Sequence, residues 1–263
     1  MGTSIKYIIV DKIVNTFNLQ RSDNENKDPI IQKTTDYGYL LHAKTLKKKD
    51  NLDEIMHVAT TKVKEAIELV GGINNDTRVV VYDNIYKIHE KQIGYTTSDC
   101  KLIEVNYKNP HIAYHELGHY KDFQNEIRKS RTNEFNPIVE AYRKEVENNL
   151  EELKSIFTYL IQTEMNDVDE KVSNVIIEDM WEDEYGYLIL NEEIYARMFY
   201  EHIRVNNPHL DLPNPINQYE QLAEICYKNN RELISEYFKS EYPHLIQTML
   251  SEEDFQLSDT LSL

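Results

Sequence analysis

His115-Glu116-Leu117-Gly118-His119 is the stretch from which the rest of the chain is read outward. A helix turns once every ~3.6 residues, so two histidines four apart stand one above the other on one face. Both rings can then reach a single zinc ion at about 2.0–2.1 Å. Glu116 leans to the same side and can take a proton from an attacking water without ligating the metal. An ordinary amphipathic helix carrying two histidines would look the same over five residues, but the flanks add to the pattern. Asn109-Pro110 supplies a cap and a first-turn residue just upstream. Ile112, Ala113, Leu117 and Phe123 provide apolar packing positions around the histidines. The spacing predicts a helix over about residues 110–128, with His115 and His119 as metal ligands and Glu116 as general base.

Working upstream, Leu102 to Tyr107 sets Leu102, Glu104 and Asn106 against Ile103, Val105 and Tyr107, the alternation of a strand with two unlike faces. It is expected to pair with Ile93 to Thr97 as a hairpin around Ser98-Asp99. We expect it to be the sheet edge beside the metal, where an extended peptide can add as a further strand. A central strand paired on both sides is the competing reading. Arg78-Val79-Val80-Val81-Tyr82 is a compact β-branched strand. Leu52, Ile55, Met56, Ala59, Val63, Ala66, Ile67 and Val70 follow helical spacing, and Gly71-Gly72 ends that helix. Tyr37 to Leu46 reads as a strand stopped by the solvated turn Lys47-Lys48-Lys49-Asp50. Residues 18–36 read as a polar loop and residues 5–14 as a first strand.

Downstream of Thr132 the pattern is almost wholly helical. Asn136-Pro137 starts a helix with Ile138, Tyr142, Val146, Leu150, Leu153, Phe157 and Leu160 on its apolar stripe. Residues 166–181, 191–205 and 215–239 give three more, the last opened by Asn214-Pro215, and the acidic tail from Ser251 is expected to fray. The expected class is α+β. An N-terminal α/β lobe, residues 1–131, lays a small mixed sheet against the histidine helix. A mostly helical C-terminal lobe, residues 132–263, completes one catalytic unit.

A net charge of -17 repels phosphate backbones and anionic lipid, which argues against nucleic-acid or membrane partners. No apolar run approaches the roughly 20 residues that cross a bilayer. The short run Ile8-Ile9-Val10 is cut off by Asp11 and Lys12, so it is not expected to act as a secretory signal, and Lys6 occupies the position where a myristoylation motif after Gly2 wants Ser or Thr. A cytoplasmic location is expected, although a secreted mature form would read the same. Cys100 and Cys226 are too few for a disulfide framework and are expected as buried free thiols.

A catalytic zinc keeps three protein ligands and one open position, so a third ligand must come from elsewhere. His202 adjoins Asn206-Asn207-Pro208, where a helix ends, and His209 and His244 sit in proline-bearing segments. Glu178, Asp179, Glu182, Asp183 and Glu184 read as a solvated face. The run Glu193-Ile194-Tyr195-Ala196-Arg197-Met198-Phe199 is more specific. It resembles the second zinc helix of gluzincin metallopeptidases, and among them the anthrax lethal factor-like group that includes the Pro-Pro endopeptidases. There the pattern is Glu, any residue, aromatic, Ala, two residues, Phe, matched here by Glu193, Tyr195, Ala196 and Phe199. The same group carries an Asp three residues past the second histidine, where Asp122 stands. The resemblance covers roughly residues 93–205 and rests on short motifs. The distance from His119 to Glu193 (193 − 119 = 74 residues) is longer than in that group, which implies a helical insert from about 133 to 180.

The resemblance implies a zincin-like fold, one Zn²⁺ per chain held by His115, His119 and Glu193, and a protein or peptide substrate. Glu192 and Glu201 stay open as alternatives to Glu193. The group also carries a tyrosine shortly before the ligand glutamate, whose hydroxyl can donate to the oxyanion of the tetrahedral intermediate. Tyr185 and Tyr187 are the candidates, and each needs a one-residue shift to reach the family offset. Asp122 can fix a ligand ring or the adjoining loop. The activity this predicts is zinc-dependent endopeptidase. The alternatives are a catalytically silent zinc-stabilised protein-binding module and a metal-dependent hydrolase of a non-peptide amide. Intact Glu116 argues against the first, and the expected edge strand argues against the second.

Overall fold

The computed structural model describes residues 31–34, 40–44, 52–82, 94–164, 170–215 and 217–245. The strand expected over residues 5–14 and the tail from Ser251 lie outside them. The described strands are β1 (Ile31–Thr34), β2 (Leu40–Lys44), β3 (Arg78–Tyr82), β4 (Gly94–Thr96) and β5 (Leu102–Asn106). They form one mixed sheet in the order β1-β2-β3-β5-β4. β2, β3 and β5 run parallel, while β1 and β4 pair antiparallel with β2 and β5. Helix α1 (Leu52–Leu69) precedes β3, and α2 (Ala113–Phe123) carries the histidines. Then follow α3 (Asn136–Asn148), α4 (Leu150–Glu164), α5 (Glu170–Leu188), α6 (Asn191–Asn206), α7 (Gln218–Asn229) and α8 (Arg231–Glu241). The chain is therefore mostly helical with a small mixed sheet, an α+β arrangement. No helix among the described residues is long and apolar enough to cross a membrane.

The sheet corrects one expectation outright. β5 is not an edge, because it bonds to β3 on one side and β4 on the other. The short loop Thr97–Lys101, with Thr97 N–H donating to the Leu102 carbonyl at 3.0 Å, forces β4 against one flank of β5. The other flank is taken by β3, whose Val79, Val80 and Val81 are all buried, as befits a central parallel strand. β4 is the outermost strand on this side of the described sheet. A second correction is β1, which lies within the segment read as a polar loop. Its backbone pairs with β2 from Ile31 opposite Ala43 to Thr34 opposite Leu40.

Several helices differ from their expected spans. The histidine helix opens through a 3₁₀ turn at Pro110–Ile112 and stops at Phe123, short of residue 128. There the Asn125 side-chain amide donates to the Lys121 carbonyl at 3.0 Å, competing with continuation of the helix. The long stripe from Asn136 breaks at Asn149, and the segment 215–239 breaks at Asn230. Both breaks use the same device. The Asn149 amide donates to Glu145 O at 2.8 Å and the Asn230 amide to Cys226 O at 3.0 Å. The last of these segments is capped by Asn217, which accepts from Tyr219 N and Glu220 N, rather than opened at Asn214-Pro215. Helix α5 runs to Leu188, seven residues past the expected 181. Gly71 and Gly72, both left-handed at φ 81° and 86°, close α1 as expected.

One core runs through both halves of the chain, from Ala59 to Leu245. At its centre α2 lies directly on α6, and both are buried on almost every face. Gly118 permits this approach. A Cβ there would stand 2.9 Å from Ala196 Cα and 3.3 Å from Ala196 Cβ. Gly118→Ala should therefore destabilise the protein by about 1–3 kcal/mol through overpacking. Helix propensity alone would favour alanine by roughly 1 kcal/mol. Urea unfolding that shows the alanine variant to be the more stable would refute the close approach.

Candidate metal centre

The α2–α6 crossing brings the two histidines of one motif against the glutamate of the other. His115 Nε2 and His119 Nε2 lie 3.2 Å apart. Glu193 Oε1 is 3.3 Å from His119 Nε2, and Glu193 Oε2 is 3.6 Å from His115 Nε2. Ligands held at about 2.0–2.1 Å on tetrahedral corners would themselves be about 3.3–3.4 Å apart. The His115–His119 and His119–Glu193 approaches match this spacing, and the His115–Glu193 approach is slightly longer. Among the described residues this is the one His/Cys/Asp/Glu group close enough to share a metal. Two imidazole nitrogens and a carboxylate leave a fourth corner open.

The electrostatics follow from burial and close approach. Burial opposes ionisation of Glu193, but its contacts with His115, His119 and Arg197 prevail and hold its carboxyl well below the usual range. Burial also works against the charged form of His119, and the neighbouring Glu193 carboxylate overcomes it and raises the ring's pKa. Glu116 is 5% exposed, and burial pushes its carboxyl up despite the adjacent histidines. Thr96 on β4 answers this cost. Its hydroxyl lies 2.9 Å from Glu116 Oε2 and 3.0 Å from Glu116 O, within donating range of both. The strand alternates Gly94 and Thr96 inward with Tyr95 outward. Gly94 is bare because a Cβ there would fall 2.5 Å from Glu116 Oε1.

The ring of His119 stacks on Phe123 at 5.6 Å, and the Arg128 guanidinium lies over the Phe123 ring at 4.5 Å. His119 Nδ1 is buried without a hydrogen-bond partner, so no carboxylate orients the ring from that nitrogen. Asp122 does not bond to it. Its two oxygens accept from Ser130 N at 2.7 Å and Ser130 Oγ at 2.8 Å, so of the two roles expected for Asp122 the structure shows the loop anchor.

The rival third ligands are engaged elsewhere. Glu192 pairs with Arg128 and Arg131, and Glu201 with Arg204 at 2.6 Å. His202 Nδ1 is 3.0 Å from the Tyr227 hydroxyl. Cys100 and Cys226 are free and buried, as expected.

The two candidate tyrosines separate clearly. Tyr185 packs on Trp181, with ring centroids 6.3 Å apart. Tyr187 lies over the Arg197 guanidinium at 5.3 Å. Burial and the nearby charge of Glu193 raise the Tyr187 pKa. Part of the ring stays open, with 46% of the residue exposed. Tyr187 is thus the tyrosine brought to the cluster, and Tyr185 is not.

Three contributors escaped the sequence reading. Gly94 and Thr96 hold Glu116, and their signal was the small-aromatic-small alternation of β4. Arg197 contacts Glu193 from the next turn of α6, and its signal was the four-residue spacing between them. No protein-family model, curated protein or solved structure matches the chain.

Proposed function

We propose that the chain is a zinc-dependent endopeptidase of the gluzincin type, with a zincin-like catalytic unit centred on the α2–α6 crossing. The observation that carries this reading is the convergence of His115, His119 and Glu193 within 4.8 Å, with Glu116 adjacent in sequence to His115 and held by Thr96 rather than by a counter-ion. Bound there, Zn²⁺ would supply a Lewis acid that polarises the scissile carbonyl and makes a water acidic enough to ionise near neutral pH. Thr96 occupies Oε2 of Glu116, which leaves Oε1 to accept the proton of the attacking water and return it to the leaving amine. The Tyr187 hydroxyl, beside Glu193, donates to the oxyanion that develops on the carbonyl. That the substrate is a peptide follows from the resemblance of the two motifs taken together.

The test is digestion of a peptide library by the purified chain. Cleavage should disappear on chelation and return with one equivalent of zinc. Zinc binding without cleavage of any peptide would favour the binding-module reading. Cleavage indifferent to chelator would remove the metal from the mechanism.

A further inference from the structure

Arg197 is buried beside the cluster, and its guanidinium joins three helices. Nη2 lies 3.4 Å from Glu193 Oε2, one turn back along α6. Nη1 donates to the Leu188 carbonyl at 2.9 Å, at the end of α5, and lies 3.4 Å from the Tyr142 hydroxyl on α3. The guanidinium carbon sits 5.3 Å from the centre of the Tyr187 ring. A carbonyl in the last turn of a helix lacks a partner within the helix, and here Arg197 supplies one. A planar fork with donors in several directions can hold these groups at once, which a point-charge ammonium cannot.

We propose that Arg197 is the positioning residue of this site. It holds Glu193 Oε2, the oxygen 3.6 Å from His115 Nε2, and leaves Oε1, 3.3 Å from His119 Nε2, as the oxygen free for the metal. The same side chain ties down the end of α5, and so keeps Tyr187 beside the ligand carboxylate. The proposal rests on the reading of His115, His119 and Glu193 as ligands. It adds that the third ligand is monodentate and that ligand and oxyanion donor share one anchor.

The experiment is competition for Zn²⁺ between a chromophoric chelator and the full chain, for wild type, Arg197→Lys and Arg197→Met, with melting of the metal-free forms alongside. Both variants should bind one zinc at an affinity lowered about 10–100-fold, the usual cost of removing a ligand's supporting partner. Arg197→Lys should fall between wild type and Arg197→Met. A variant that folds, melts lower and yet binds zinc as tightly as wild type would reduce Arg197 to a structural clip and overturn the proposal. Wild type that binds no zinc would instead overturn the ligand reading itself. If neither variant folds, cobalt-loaded wild type decides. Intense visible absorption marks the four-coordinate site that a monodentate Glu193 and one water produce, and the weak absorption of a five-coordinate site would contradict it.

Discussion

Replacing Glu116 by Gln is expected to lower peptide hydrolysis by roughly 10²–10⁴-fold, the range a positioned general base supplies. Zinc content should stay at one per chain. The two readouts separate because Glu116 belongs to the helix of the ligands without being one of them. Gln has the same shape, and its amide oxygen can still accept from the Thr96 hydroxyl that now lies 2.9 Å from Oε2. The variant also removes a carboxylate that is 5% exposed, whose ionised form is disfavoured by burial. Metal-free Glu116→Gln should therefore melt no lower than metal-free wild type. Steady-state cleavage of a peptide identified by library digestion, together with elemental analysis, checks both halves. Wild-type turnover in this variant would refute the general-base assignment, and the binding-module reading would gain by it.

Glu193→Gln is expected to lose zinc during exchange into metal-free buffer, and with it all chelator-sensitive cleavage. A neutral amide is a far poorer ligand than a carboxylate for a divalent cation held with two imidazoles. The substitution has a structural cost too. Arg197 would remain buried without its carboxylate, and breaking such a pair costs about 3 kcal/mol, the low end of the usual range. The low end applies because the Leu188 carbonyl and the Tyr142 hydroxyl still bond to the guanidinium. Elemental analysis after exchange and urea unfolding read the two effects separately. Retention of one zinc at wild-type affinity would take Glu193 out of the ligand set. Glu192 and Glu201 could not simply replace it, since each is already paired with arginine.

Much of the site was legible because its chemistry is local. Helical spacing is enough to place His115 and His119 on one face with Glu116 at their side, whatever the rest of the chain does. The run around Glu193 stood out by its resemblance to a second zinc helix, and α6 begins at Asn191, the residue expected. The Val79-Val80-Val81 strand, the β4–β5 hairpin and the glycine stop of α1 were equally readable. Each depends on residues within a few positions of one another. The breaks at Asn149 and Asn230 were not readable, because the apolar stripe continues across both and an asparagine within such a stripe does not by itself end a helix.

What the sequence alone determined, then, is the pair of motifs and the α+β class of the chain. Only the tertiary structure decided which elements meet. That β5 is central rather than an edge depends on β3, far from it in sequence, taking its second flank. That Tyr187 and not Tyr185 reaches the cluster depends on how the end of α5 is tied to Arg197. The convergence of His115, His119 and Glu193 depends on Gly118 and Ala196 letting two helices touch. Helical and strand periodicity arise from bonds between near neighbours and are written residue by residue. Contact between distant segments depends on which faces pack together in the shared core, and no short stretch of the chain carries that information.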